Sequence, residues 1–596
     1  VSFTTTLPIE PILPLLAETL RAHTGAVLVA PPGAGKTTKV PLALLGEPWL
    51  QGRRILMLEP RRLAARAAAR YMASSLGEQA GETVGYRVRL ETRVGPATRI
   101  EVITEGVLTR MLQSDPALDG IGLVIFDEFH ERSLQADLGL ALCLQSRALL
   151  RDDLRLLVMS ATLEAQPVAS LLGDAPVVAS EGRSYPVETR YLPQRRPDGR
   201  VETAVVRIVT EALAATEGDL LVFLPGAAEI RRVETGLAEA RLPRHIQVAT
   251  LHGSLTHEGQ DRAIAPAPPG ERKVVLSTAI AETSLTVEGV RVVIDSGLMR
   301  VPRFSPRTGM TRLETIPVAR ASADQRRGRA GRLGPGVCYR LWTEREDRQL
   351  VAQSAPEILE ADLAPLALEL AAWGVADPAE LSWLDVPPAA AYGQARDLLA
   401  QLGALSADGA ITPHGRRMAG MGLHPRLAHM VLSAVPLGLG GLACELAALL
   451  SERDLLRSGS EADADMRLRV EALRGSHRYG VDQASARRVI AEARSLQREM
   501  GITGEHGGVD ACGSLLAFAY PDRIAQRRPN GRFLLRNGRG AAFAEMQPLA
   551  DSPYLVAADL GDQGAESRIF LAAPVSLDDL DLHHGDQITT ETLTAW

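Results

Sequence analysis

Gly33-Ala34-Gly35-Lys36-Thr37-Thr38 is a run of small residues closed by a lysine and two hydroxyls, directly after an apolar stretch, Ala26-Val27-Leu28-Val29. Backbone N–H groups in such a turn can wrap an anion, and the helix that the turn opens adds partial positive charge. Lys36 is spaced to reach a nucleotide's β- and γ-phosphates, and Thr37 to ligate Mg²⁺. The usual phosphate-loop pattern starts with glycine; here Ala30 holds that position.

Phe126-Asp127-Glu128-Phe129-His130 ends a second apolar run. Two adjacent carboxylates at a strand end can be a solvated turn. With a phosphate loop upstream they suit phosphoryl chemistry: Asp127 to hold Mg²⁺ through water and Glu128 to polarise the attacking water. His130 is placed to link the nucleotide to Ser160-Ala161-Thr162. A third set lies far downstream. Nine arginines and two carboxylates fall between Arg300 and Arg332, and the stretch ends Gln325-Arg326-Arg327-Gly328-Arg329-Ala330-Gly331-Arg332. Arg329 and Arg332 are spaced to share one face of a helix. Guanidinium groups aimed at a γ-phosphate stabilise the charge that develops on it. Gln325, Arg329 and Arg332 are therefore the second half of a candidate catalytic site, and Arg326 and Arg327 carry a weaker case.

Two halves so far apart in the chain need two scaffolds. Residues 1–184 alternate short, wholly apolar runs (26–29, 54–58, 122–126, 156–159) with helical patterns. That predicts a doubly wound parallel sheet, covered on both faces, with chemistry at the strands' C-terminal ends. The pattern restarts near Pro186, with strands predicted at 220–224, 248–251, 273–276 and 290–294. Past about residue 350 the strands give way to helices, predicted over Glu357–Trp373 and Ala390–Leu402. A small hairpin over 403–413 and helices over 424–508 follow. From Cys512 short strands and Gly/Asn turns predict a small β-barrel. Six arginines and no acid between Arg523 and Arg539 suit a barrel that binds a departing strand, with a partner surface or plain solvation as the alternatives.

Composition narrows the class. With 596 residues and 46% hydrophobic content the chain can build several cores, and at 4% aromatics these must be mainly aliphatic. A net charge of −7 confines any nucleic-acid site to a local groove. The basic residues are nearly all arginine; Lys36, Lys39 and Lys273 are the lysines. Cys143, Cys338, Cys444 and Cys512 form no C-x-x-C pair, which argues against a structural metal or a disulfide framework and for a reducing, cytoplasmic compartment. The stretch 432–450 is broken by Pro436, glycines and Glu445, so it reads as a buried helical hairpin rather than a membrane span.

As a set these motifs resemble the DEAH/RHA helicases of superfamily 2, with the bacterial HrpB type nearest. The matching pieces add Glu59-Pro60-Arg61-Arg62, Thr104-Glu105-Gly106, Leu251-His252-Gly253-Ser254 and Ser277-Thr278-Ala279-Ile280-Ala281-Glu282-Thr283-Ser284 to those above. The resemblance implies an α/β fold with two tandem RecA-like doubly wound domains (1–184 and 185–350). It continues with a winged helix (351–423), a helical ratchet bundle (424–510) and an OB-like β-barrel (511–596), followed by a C-terminal extension that is missing here. It implies an NTP hydrolase that uses ATP, or other NTPs, with Mg²⁺ to move 3′-to-5′ along single-stranded RNA and unwind duplexes. DNA offers the same phosphates, and a protein activator is open. Arg61, Arg62, Thr104, His252, Ser254 and Thr278 would grip the strand's backbone, largely blind to sequence. Met299–Pro317 matches the hairpin that parts strands. Three departures stand out: Phe129 replaces an alanine, Ile264 replaces a phenylalanine that stacks on the base, and no adenine-reading glutamine motif precedes the phosphate loop. Loose base selectivity is therefore expected. The competing expectations are an ATPase that remodels ribonucleoprotein without unwinding, and a nucleotide-gated binding module without turnover.

Overall fold

The computed structural model describes residues 7–588 except 89–90, 162–164, 182–184, 195–199, 254, 256, 283–286, 306–308, 453, 457–462, 477–479, 504–506 and 564–565. Thr162, Ser254, Thr283 and Ser284 therefore lie outside the described residues. The chain forms two units. One comprises residues 1–303, 312–361 and 379–386; the other comprises 304–311, 362–378 and 387–596.

The first unit holds two sheets. In the first lobe, β1 (Gly25–Val29), β2 (Arg54–Glu59), β3 (Val84–Val88), β4 (Glu91–Arg93), β5 (Ile100–Thr104), β6 (Ile121–Phe126), β7 (Arg155–Ser160) and β8 (Val177–Ala179) lie in the order β4-β3-β5-β2-β6-β7-β1-β8. Every pairing is parallel except β3 with β4. All residues of β1 and of β6 are buried, as a sheet covered by helices on both faces requires. The second lobe orders β9 (Val187–Tyr191), β10 (Asp219–Phe223), β11 (Ile246–Leu251), β12 (Arg272–Ser277) and β13 (Val290–Asp295) with a later strand. After β13 comes a separate two-stranded ribbon, β14 (Leu298–Ser305) with β15 (Met310–Pro317), and then β16 (Gly336–Arg340) completes the all-parallel order β11-β12-β10-β13-β16-β9. Both predicted doubly wound sheets are present. The apolar runs located β1, β2, β6, β7 and β10 to β13, whereas the interior strands β3, β5 and β16 and the largely exposed or half-buried edge strands β4, β8 and β9 gave no such signal.

Two predicted segments differ. The helix expected over Glu357–Trp373 is a 3₁₀ turn, Glu357–Leu359, and a separate helix, Ala364–Trp373. The Asp362 side chain accepts the Ala364 N–H at 2.9 Å and starts the helix afresh, with proline in its first turn. Strands do not begin at Cys512: Cys512–Ala519 is a helix, nearly all of it buried, and the first barrel strand starts at Ile524.

In the second unit Leu405 and Ile411 bridge antiparallel across a turn with Gly409 at φ +82°, the small hairpin expected there. Helices Pro425–Ala434 and Gly440–Ser451 turn on Gly438 at φ +70°, and no helix of the described residues is long and apolar enough to cross a membrane. The strands β17 (Ile524–Arg527), β18 (Phe533–Leu535), β19 (Gly540–Ala542), β20 (Tyr554–Gln563) and β21 (Glu566–Pro574) close a barrel in the order β17-β18-β19-β21-β20. Ala525, Phe533, Leu535, Leu555 and Ile569 fill it. The arginine patch expected on this barrel is smaller in space than in sequence. Arg523 is buried, and acids from outside the stretch pair with Arg527 (Asp551, 3.1 Å) and Arg532 (Glu566, 2.6 Å).

Candidate active site

Sheet order brings the first lobe's motifs together. β7 lies between β1 and β6, so the phosphate loop, Ser160 and Asp127 leave neighbouring strand ends. The Ala30 N–H donates to the Ser160 carbonyl at 3.0 Å. β2 runs beside β6 with Leu58 opposite Phe126, which sets Glu59 next to Asp127.

In the loop itself, Gly33 (φ +83°) and Gly35 (φ +95°) hold left-handed conformations that other residues adopt only at a cost. Gly35 precedes the helix Lys36–Leu44. Ala34 is buried against the first lobe's core, and Thr38 lies in that helix's first turn. Lys36 is buried and its Nζ donates to Glu128 Oε2 at 3.0 Å; Thr37 Oγ1 donates to Asp127 Oδ2 at 2.5 Å. Both acids sit just past β6, where Glu128 takes a left-handed φ of +49°.

The electrostatics follow from packing. Burial alone would lower the Lys36 pKa, but Glu128 and then Asp127 hold it raised. Burial would raise Glu128, yet Lys36 first, then His130 and Arg329, keep its carboxyl below the usual value. Asp127 goes the other way, raised by burial against the pull of Lys36. Glu59 is fully buried with both carboxylate oxygens lacking a hydrogen-bond partner among the described residues. Burial, then Asp127 and Glu128, push it well above the carboxylate range; once protonated it can donate to Asp127. Its part in this cluster was not read from the sequence, although the Glu-Pro-Arg-Arg motif ending β2 was the available signal. His130 Nδ1 accepts the Ala161 N–H at 3.3 Å and lies 3.5 Å from Glu128 Oε2, which ties the acid loop to the end of β7.

The second lobe completes the cleft. The helix Arg320–Gly328 ends before Arg329, and Arg329–Gly331 is a 3₁₀ turn rather than more α-helix. Residues three apart eclipse in a 3₁₀ turn, so Arg329 and Arg332 still point together. Arg329 is buried, donates from Nε to the Glu282 carbonyl at 2.9 Å, and contributes to lowering the Glu128 pKa. Burial, then Arg332, pushes the Arg329 pKa down; burial pushes Arg332 to about 10. A Cβ added to Gly33 would meet the Arg332 guanidinium at 3.4 Å. Both arginines therefore face the phosphate loop and Glu128. Gln325 lies half-buried one turn before Arg329. Arg326 is different: it is 1% exposed, binds Glu282 and Asp295 at 2.9 Å each, and covers the Phe223 ring. It holds the second lobe's core rather than the cleft.

The strand-gripping candidates form one group per lobe, at the C-terminal ends of paired strands. Arg61 and Arg62 follow β2, and Thr104 ends β5 directly before the helix Glu105–Ser114. His252 follows β11 and Thr278 follows β12. Arg61 links the two lobes, donating to the Ala279 carbonyl at 3.0 Å and to Glu131 at 3.2 Å. Arg62 is exposed. Ile264 packs against the second lobe's core beside Ala263 and Leu251.

The residues fit a Mg²⁺–nucleotide. No group of three or more His, Cys, Asp or Glu among the described residues could cage a metal. Mg²⁺ needs none: it takes one or two protein ligands and fills its shell with phosphate and water. Thr37 and Asp127 supply such a pair, with the buried Glu59 beside Asp127.

Comparison with known proteins agrees. The DEAD/DEAH box helicase family model matches residues 14–171, the helicase conserved C-terminal domain residues 203–334, and the helicase associated domain (HA2), winged-helix, residues 395–423. The ATP-dependent RNA helicase HrpB of Escherichia coli (strain K12) is 46% identical over 580 residues, 96% of this chain and 69% of the relative. The pre-mRNA-splicing factor ATP-dependent RNA helicase prp22 of Schizosaccharomyces pombe is 36% identical over 453 residues, 75% of this chain and 38% of that one. The crystal structure of the Escherichia coli DEAH/RHA helicase HrpB superposes with a TM-score of 0.86 at 44% identity, covering 96% of this chain and 70% of that one. The chain belongs to the DEAD/DEAH-box helicase family, in its HrpB-type DEAH/RHA branch.

Proposed function

We propose that this chain is an ATP-dependent RNA helicase that hydrolyses NTP to move 3′-to-5′ along a single strand and part duplexes. The observation that carries the reading is the approach of Arg329 and Arg332, from the second lobe, to the Lys36–Glu128 pair and Gly33 of the first. A triphosphate held there touches both lobes, so its cleavage can change how they meet.

In this reading backbone N–H groups of 33–38 and the Lys36 ammonium hold the β- and γ-phosphates. Thr37 and Asp127 would hold Mg²⁺, which would supply positive charge to offset that of the phosphates. Phosphate oxygens compete with Glu128 for Lys36, and the released carboxylate accepts a proton from the attacking water. Gln325 orients that water. Arg329 and Arg332 stabilise the charge on the transferring phosphoryl group. His130 carries the change through the Ala161 N–H to the Ser160-Ala161-Thr162 segment, with Ser160 and Thr162 on either side of that contact in the chain. Arg61, Arg62, Thr104, His252, Ser254 and Thr278 grip successive phosphates, and β14–β15 parts the duplex. Ile264 offers no ring to the base, which supports use of several NTPs. The closed barrel supports an oligonucleotide-binding role, and four buried free thiols support a cytoplasmic setting.

The test is steady-state NTPase with matched RNA and DNA oligomers, then unwinding of duplexes with 3′ or 5′ overhangs. Turnover should rise with single-stranded RNA, and 3′-overhang duplexes should open. Glu128→Gln should lose about 10²–10⁴ in turnover and keep nucleotide binding. Absence of turnover with RNA present would refute the motor. Turnover without opening of either overhang would leave remodelling as the function.

A further inference from the structure

The ribbon β14–β15 is an awkward wedge. Two strands alone are marginally stable in water, and Leu313, Glu314 and Thr315 in the middle of β15 are exposed. Its base is held within the first unit, by Arg300 on Glu229 at 3.2 Å and by Arg303 on Glu360 at 2.9 Å. Its far end, residues 304–311, belongs to the second unit. There the Gly309 N–H closes on the Ser305 carbonyl at 2.8 Å, and Gly309 takes a φ of +61°. The Gly309 carbonyl accepts Nη2 of Arg523 at 2.8 Å, and Nη1 of the same guanidinium reaches the Met310 sulfur and the Ala558 carbonyl of β20 (3.0 Å).

Arg523 is built for a fixed position. It is 1% exposed, and its guanidinium lies 4.4 Å from the Tyr520 ring centroid. Arg426 approaches the same ring at 5.4 Å while Asp522 (2.6 Å) and the Ala519 carbonyl (3.0 Å) hold it. A Cβ at Gly309 would stand 3.3 Å from Arg523 Nη2, a tight approach, and 3.5 Å from Arg426 Nη2, an ordinary contact, so the turn sits close against the fork. A buried cation bound to a backbone carbonyl of the ribbon's turn is a large commitment for a barrel residue whose own strand begins one position later. Lysine could not replace it, since one ammonium lacks the planar fork that serves Gly309 and Ala558 together.

We propose that Arg523 is a positioning residue for strand separation: it pins the far end of β14–β15 so that the ribbon resists the duplex instead of bending away. The proposal rests on the reading of β14–β15 as the strand-parting element. ATP turnover does not need the pin, because the phosphate cleft is built of first-unit residues and the pin of second-unit residues.

Three variants of the full chain test it: Arg523→Lys, Met310→Ala and deletion of residues 303–312. Met310→Ala weakens the same contact from the ribbon side, so it reports even where Arg523→Lys disturbs the barrel. The two point variants should unwind 3′-overhang RNA duplexes at least about tenfold more slowly, the scale of one lost charge-assisted bond, with RNA-stimulated ATPase within about twofold of the parent. The Gly309 amide should exchange hydrogen faster in both. Deletion should abolish unwinding and spare the ATPase. If deletion abolishes unwinding while both point variants unwind like the parent, the pin is wrong and the wedge stands. If deletion leaves unwinding intact, the wedge reading fails and the pin with it. Parallel loss of ATPase and unwinding in both point variants also overturns the proposal, since it marks a merely structural contact.

Discussion

Arg326, Arg329 and Arg332 lie within seven residues, yet their surroundings give them different work. Arg326 is locked between Glu282 and Asp295 and lies over Phe223, whereas Arg332 borders Gly33 across the cleft. Removing one partner of a buried ion pair costs about 3–5 kcal/mol, because the charges left behind have no water. Arg326→Ala should therefore lower the melting temperature sharply and lose ATPase through unfolding. Arg332→Ala should melt with the parent and lose about 10³-fold or more in kcat. Thermal melts beside steady-state kinetics separate the two. Equal melting temperatures for both variants would contradict the division of labour.

At the scale of elements, the second unit packs helices around a histidine cluster. His414 Nε2 and His429 Nδ1 are 2.8 Å apart, His429 meets Phe518 edge-on, and His583 and His584 lie on the same ring at 5.4 and 5.3 Å. Burial, then His414 and His584, pushes His429 down to about 4. Burial and Arg417 lower His414; burial, His583 and Arg536 lower His584, with Asp586 opposing. An unfolded histidine binds its proton near pH 6.5, so between about 6.5 and about 4 the unfolded chain binds more protons than the fold. Stability should fall as pH falls through that window, by at most about 1.4 kcal/mol per pH unit from His429. Urea denaturation of the parent and His429→Leu across pH 7 to 5 checks this: the variant's slope should be flatter, and identical slopes would exclude His429 as a source.

For the whole molecule, a net charge of −7 makes a general attraction to RNA unfavourable, so binding must come from a few local cations. Counterion release from a single strand then predicts a log–log salt slope of about −0.7 per phosphate gripped. Raising salt from about 50 to about 200 mM should depress RNA-stimulated turnover strongly and leave RNA-free turnover nearly unchanged. Equal sensitivity in both assays would mean that salt acts on the nucleotide site or on stability.

Short-range chemistry was legible in the chain alone. Phosphate loops, acid pairs at strand ends and fully apolar parallel strands are local patterns, and they located both sheets, Lys36, Thr37, Asp127 and Glu128. The edge strands β4, β8 and β9 escaped because much of each meets water, and the interior strands β3 and β5 because Arg87 and Glu101 break their apolar runs. The break at Asp362 escaped because a cap competes with helix propensity at a single residue. What tertiary structure alone decided is which like residues stay together. Arg523 belongs to an exposed arginine run in sequence and to a buried fork on Gly309 in space. Glu59 became part of the acid cluster only through the register of β2 against β6. The chain specifies which groups can carry charge; packing decides which of them lose water, and that loss sets what each can bind.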